Sequence, residues 1–314
     1  MQEPEPKEQW FITQELIPDT ITECSLAAQG SVCTSKDTVF IIAELLKVPD
    51  TKDPKEIMDA AKVKLECDTE RCVLTKLMSD LGEARVRGEI QANLKVDGPC
   101  DNRLLSNVHI DSILRQWRGM FPDYFPYNFN MRNYASMSYK HGRVIDGPDT
   151  LATLQFASLY LGTHDGKKYT RAACVINSDV YQGGGKHWMA LFVDSAGGTV
   201  EFFNSSGNAP APEWVAWMTK TKNQLDELGI PAKMVRVSKI RHQDSKSECG
   251  VYSLFYIWSR LNGVPHERFM STPVPDSVMF EFRQHLFCDP AGHQTTGKFS
   301  WEDYQKKVKI EWES

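Results

Sequence analysis

At 314 residues, 41% hydrophobic and 11% aromatic, the chain can bury one large core or two modest ones without help from disulfides or metals. A net charge of −5 argues against a general nucleic-acid binder, and no such partner is expected. The opening MQEPEPKEQW lacks the basic and apolar regions of a secretory signal, and the longest apolar stretch, Val39 to Leu46, is too short for a bilayer and contains Glu44. The chain reads as soluble, with no membrane insertion.

The first nine residues read as a loose tail. From Thr34 or Ser35, either of which can cap a helix, Val39, Phe40, Ala43 and Leu46 line one face of a run that ends near Pro49. Asp53-Pro54 is a cap followed by proline at the first helical position, and predicts a helix over residues 55–65. A third helix is predicted over residues 71–85. Asp97-Gly98-Pro99 breaks the pattern, so a mainly helical arm over residues 1–99 is separated from a second domain over residues 100–314. Charge changes at the same place: residues 1–100 hold 12 Lys/Arg and 19 Asp/Glu, the remainder 24 and 22.

Of eight cysteines, Cys24/Cys33 and Cys67/Cys72 lie close in sequence. Neither pair has the C-x2-C spacing of a zinc site, and residues 1–99 contain no histidine, so no metal is expected. Without a secretory signal, reduced thiols are the expectation.

In the second domain Ile110, Ile113, Leu114 and Trp117 fall at helical spacing over residues 108–120. The proline-bearing FPDYFPYNF cannot continue that helix and reads as a packed loop. Four strands follow, over residues 172–176, 187–194, 199–204 and 233–240. Helices over 212–227 and from Cys249 complete an α+β domain.

Four residues in this domain carry the chemistry of a thiol hydrolase: His187, Asn204, Gln243 and Cys249. If strands 187–194 and 199–204 form a hairpin with Asp194 opposite Thr199, Asn204 falls opposite Met189 and diagonal to His187, on the same face. The rival orienter Asp194 lies about 23 Å along the strand and points to the other face. A cysteine in the first turn of a helix feels the helix dipole, which favours thiolate. Its backbone N–H and the Gln243 amide can together stabilise an oxyanion. Gly250 leaves room for a substrate backbone. His242 faces away from Gln243 and reads as structural. The Gly183-Gly184-Gly185-Lys186 run lacks phosphate-loop spacing and reads as a flexible approach to His187.

His187-Trp188, an amide 17 residues later and Gln-x5-Cys-Gly resemble the cysteine proteases that include the ubiquitin-like-protein (SUMO) proteases and adenovirus protease. Leu105 to Asp111 is similar to the family's opening helix, and Met279 to Phe287 to its closing one. The resemblance implies a papain-like core, with Cys249 as nucleophile, His187 as base and acid, Asn204 as orienter and Gln243 as oxyanion donor. It also implies that Trp188 covers a channel admitting small residues, typically Gly-Gly. Cellular members usually carry Asp where Asn204 stands.

The helical arm and the asparagine most resemble the polyprotein-processing proteases of large cytoplasmic DNA viruses, the African swine fever virus type among them. That branch implies a thiol endopeptidase cutting polyproteins at Gly-Gly-Xaa sites without a cofactor, in the host cytoplasm or packaged in the virion. The alternatives are an isopeptidase acting on a ubiquitin-like modifier, an acetyltransferase of the same clan, and a binding module with a vestigial site.

Overall fold

Ser35 and Asp53 begin the first two helices as their side-chain chemistry predicts. Ser35 Oγ accepts the Thr38 N–H, and Asp53 Oδ1 accepts the Lys55 N–H with Pro54 at the first helical position. The structure, a computed structural model, describes residues 7–28, 30–48, 51–137, 150–181, 183–288 and 296–307. Most of the expected N-terminal tail and the stop at Pro49 lie outside these residues; Lys7–Trp10 form a single 3-10 turn.

The helical unit comprises residues 19–100 and 283–299. A short strand, β1 (Thr20–Ile21), precedes α1 (Lys36–Leu46) and α2 (Pro54–Lys64). The single helix predicted over 71–85 is instead three: α3 (Glu70–Lys76), α4 (Met78–Leu81) and α5 (Glu83–Asn93). Gly82, at φ +85°, turns the chain between the last two, a backbone conformation that glycine adopts without a Cβ penalty. Strand β2 (Val96–Asp97) ends this stretch. Val39, Ile42, Met58, Ala61, Val73, Leu74 and Val86 form the core between these helices.

Four cysteines depart from expectation. Cys24 is bonded to Cys33 and Cys67 to Cys72, with Cα separations of 4.9 and 5.6 Å, inside the range a disulfide spans. The sequence argument for reduced thiols rests on compartment. It cannot see that two short loops, spanning 9 and 5 residues, bring each pair within bonding reach.

The larger unit comprises residues up to 18, residues 101–282 and those from 300. It contains α6 (Asn107–Met120), β3 (Tyr124–Pro126), α7 (Tyr134–Met137), α8 (Phe156–Leu161), β4 (Arg171–Asn177), β5 (Trp188–Asp194) and β6 (Thr199–Phe203). Then come α9 (Pro212–Glu227), β7 (Lys233–Val237), α10 (Cys249–Leu261), α11 (Glu267–Ser271) and α12 (Asp276–Leu286). The aromatic segment read as a loop contributes β3, because Tyr124, Phe125 and Pro126 pair in parallel with Arg171, Ala172 and Ala173. An edge position tolerates Pro126.

The sheet runs β3-β4-β5-β6-β7, antiparallel in the middle and parallel at both margins. Met189, Leu191, Val193, Val200 and Phe202 share a core with Trp214, Trp217 and Met218 of α9. The alternate residues face α10, which packs on β5 and β4. With helices on both faces, β4 to β6 are near-continuous apolar runs, and burying each Leu, Ile, Val or Phe stabilises by about 1.5–3 kcal/mol. This is the expected α+β architecture, a mixed sheet flanked by helices.

Past α12 the chain is back in the helical unit. There β8 (Phe287–Cys288) pairs in parallel with β2, and β9 (Gly297–Lys298) antiparallel with β1. The last described element, α13, is Trp301–Lys307. The sequence reading draws one cut at 99/100. In the structure residues 7–18 belong to the larger unit, where the Leu16 carbonyl accepts the Trp258 indole N–H at 2.9 Å. Residues 283–299 belong to the helical one.

Candidate active site

The hairpin register decides which side chains meet. Asp194 pairs with Thr199 and Ala190 with Phe203, so Asn204 continues the line opposite Met189. Its Oδ1 lies 2.7 Å from His187 Nε2. The amide is oriented independently: Asn204 Nδ2 donates to the Asn208 carbonyl at 3.0 Å, while Oδ1 also accepts from the Ser206 N–H and hydroxyl at 3.1 and 2.9 Å. An amide oxygen only accepts, so Nε2 of His187 carries the proton and Nδ1 is the basic nitrogen of the neutral ring. Asn204 is 2% exposed, which keeps this hydrogen bond out of competition with water.

Gln243 is held as firmly. Its Oε1 accepts the Ser205 hydroxyl at 2.8 Å, and Nε2 donates to the Ser245 carbonyl at 2.6 Å. One amide proton remains for another acceptor. Asp276 fixes this loop by accepting from the Asp244 N–H, the Ser245 N–H and the Ser245 hydroxyl, each at 2.9 Å. Burial pushes the Asp276 carboxyl up, and those hydrogen bonds oppose the rise. Sequence reasoning misses Ser205, Asn208, Ser245 and Asp276. Small polar residues near a catalytic one give no periodic signal.

Cys249 is the first residue of α10, buried at 2% exposure, in the first turn, where backbone N–H groups have no acceptor within the helix. It lines one cleft together with Leu105, Trp188, Phe129 and the Gly183–Gly185 loop. His187, Asn204 and Gln243 line a second cavity, and Lys186 borders both. Trp188 is pinned in the first of these clefts: its indole N–H donates to the Leu105 carbonyl at 3.0 Å, and its ring meets Phe129 edge-on.

The room expected beside Gly250 is already filled. A Cβ there would meet Leu105 and Trp188 side-chain atoms at 3.2 Å, so the glycine serves the close seating of Trp188. The Gly183–Gly185 loop is likewise braced. A Cβ on Gly183 would fall 2.3 Å from the Asp179 carboxylate, and that carboxylate accepts the Gly185 N–H at 3.2 Å.

The rivals are accounted for elsewhere. Asp194 accepts the Gly197 N–H at 2.9 Å and faces Arg260 at 3.4 Å. His242 is buried between the Val274 N–H, which donates to Nδ1 at 3.0 Å, and the Phe269 carbonyl, 3.0 Å from Nε2.

A thiol at a helix start, an imidazole oriented by a buried amide and a braced glutamine amide are the candidate site, on a mixed α+β fold, and they are the group types a cysteine hydrolase uses. Residues 175–293 match the Ulp1 protease family, C-terminal catalytic domain. A cysteine protease of African swine fever virus (isolate Tick/Malawi/Lil 20-1/1983) is 37% identical over 241 residues, 72% of this chain and 85% of the relative. Its counterpart from isolate Pig/Kenya/KEN-50/1950, which bears the name SUMO-1 cysteine protease, is 36% identical over the same shares of both chains. A crystal structure of the African swine fever virus protease aligns with a TM-score of 0.67 at 30% identity, covering 88% of this chain and 98% of that one. The chain belongs to the Ulp1 protease family and is a cysteine protease. No helix among the described residues is long and apolar enough to cross a membrane.

Proposed function

We propose that the chain is a thiol endopeptidase that cuts structural polyproteins of a large DNA virus after Gly-Gly. The observation that carries the mechanism is the His187–Asn204 hydrogen bond of 2.7 Å, with the amide oriented by Asn208. It leaves Nδ1 of His187 to take the proton of the Cys249 thiol. The thiolate attacks the scissile carbonyl, and the oxyanion is met by the Cys249 N–H and the remaining Gln243 amide proton. His187 then passes its proton to the departing amine, and water, deprotonated by the same ring, hydrolyses the thioester. No cofactor is required.

The Gly-Gly preference is supported by Trp188, seated against Gly250 and Leu105 over the cleft that holds Cys249. A narrow channel admits a substrate backbone only where side chains are absent. The polyprotein substrate and action in the host cytoplasm or virion are carried over from the resemblance of the helical arm and Asn204 to the viral branch. A second reading, deconjugation of a ubiquitin-like modifier, is favoured by the name that one relative carries.

Incubating the enzyme with Gly-Gly-Ala peptides and with SUMO-type conjugates separates the two. Peptide cleavage is expected; turnover of the conjugates alone overturns the polyprotein reading. Cys249→Ala is expected to abolish cleavage with the fold intact.

A further inference from the structure

The cavity bordered by His187 has a chemistry that cleavage after Gly-Gly does not explain. It holds about 530 Å³, within the usual size of a ligand site, and three cationic side chains line it: Arg132, Lys186 and Arg241. Among the described residues no acidic one lines it. The arginines have partners on the outer rim, Glu213 at 3.7 Å from Arg132 and Asp244 at 3.4 Å from Arg241. Lys186 makes no ion pair among the described residues. Trp214, fully buried, also lines the cavity, and its indole N–H has no acceptor among the described residues. Among the described residues, three cations, one of them without an ion pair, in a concavity that no acidic residue lines favour an anionic occupant.

The reaction says which part of a substrate arrives there. The ring that protonates the departing amine must face the departing chain, and His187 lines this cavity while Cys249 lines the other. The acyl side of the substrate therefore lies along Trp188 and Cys249, and the leaving side enters the cationic cavity. We infer that this cavity is a leaving-side specificity subsite, selecting an aspartate or glutamate within the three residues that follow the scissile bond. Lys186 is its principal counter-charge and Arg241 a second. The inference rests on the endopeptidase reading, but concerns the opposite side of the bond from Gly-Gly.

The test is a peptide library randomised on both sides of the cut, digested by the full-length enzyme and sequenced at both new termini. Acidic residues are expected to be enriched about three- to tenfold over lysine at one of the three leaving-side positions, the span of a partly exposed charge pair. Raising the salt concentration should narrow that ratio. Lys186→Glu should remove or invert it, and Arg241→Glu serves if that variant fails to fold. Equal recovery of acidic, neutral and basic residues at all three positions, or a ratio unmoved by charge reversal, overturns the proposal. New C-termini lacking Gly-Gly, with acidic enrichment intact, would instead overturn only the Gly-Gly reading.

Discussion

Glu201 and Arg260 form a bidentate ion pair, at 2.9 and 2.8 Å, that ties the strand leading into Asn204 to the helix that begins at Cys249. Tyr256 and Thr199 donate to the same carboxylate, each at 2.6 Å, and Glu201 is fully buried. Strand alternation puts Glu201 on the face opposite Asn204, so the pair holds the sheet to α10 without entering the cavity that His187 and Asn204 line.

Removing one partner strands the other in the core. Glu201→Ala is expected to cost about 3–5 kcal/mol in urea unfolding, because Arg260 and Tyr256 lose their acceptor together. Replacing both charges, Glu201→Leu with Arg260→Leu, should cost clearly less than the sum of the single changes. Additive losses would show that the two residues act independently.

Asn204→Asp is the substitution that the resemblance to cellular proteases suggests and the geometry opposes. The amide nitrogen faces the Asn208 carbonyl at 3.0 Å, so an aspartate would set a carboxylate oxygen against another acceptor. Leaving that contact unsatisfied is worth about 1–3 kcal/mol, enough to lower kcat/KM by about tenfold despite the gain of a negative charge beside the imidazole. Activity equal to or above that of the parent at neutral pH would sink this explanation.

His242 makes stability pH-dependent on the acid side. Burial lowers its pKa to about 4, and the hydrogen bond to the Phe269 carbonyl opposes the fall only in part. The folded value lies below the unfolded value of about 6.5, so the unfolded chain binds the extra proton first. Stability is complete above pH 6.5 and lost as pH falls toward 4, by about 3 kcal/mol in total from this ring. An NMR titration placing the His242 ring near 6.5 would refute it.

Thiol counting tests the two bridges directly. Without reductant, iodoacetamide has at most Cys100, Cys174, Cys249 and Cys288 to modify; after reduction it gains Cys24, Cys33, Cys67 and Cys72. Loop-closure entropy gives each bridge about 2–3 kcal/mol, so reduction should lower the melting temperature of the helical unit. Eight thiols free before reduction would contradict the pairing. Cys249 is expected to label ahead of the other three; uniform labelling would favour a vestigial site.

The sheet and the candidate site are legible for the same reason. Alternation along 187–194 and 199–204 sets which side chains share a face, so placing Asp194 opposite Thr199 is enough to bring Asn204 to His187. Helix starts at Ser35 and Asp53 follow from local chemistry. What pattern misses depends on contacts distant in sequence. Tyr124–Pro126 is a strand only because β4 lies beside it, and Gly250 is small because Trp188 and Leu105 press on it. Asp276 supports Gln243 from 33 positions along the chain, a distance over which no periodicity speaks.

The chain passes between its two units at residues 18/19, 100/101, 282/283 and 299/300. During synthesis the helices of residues 36–93 emerge early, yet the partners of β1 and β2 follow only with β8 and β9. The two strand pairings of the helical unit are not both complete until the chain has grown past residue 298. A truncation at residue 99 therefore does not trim an appendage. It takes the Leu16 carbonyl from Trp258 in one unit and leaves β8 and β9 with nothing to pair against in the other, so each unit loses contacts of its own.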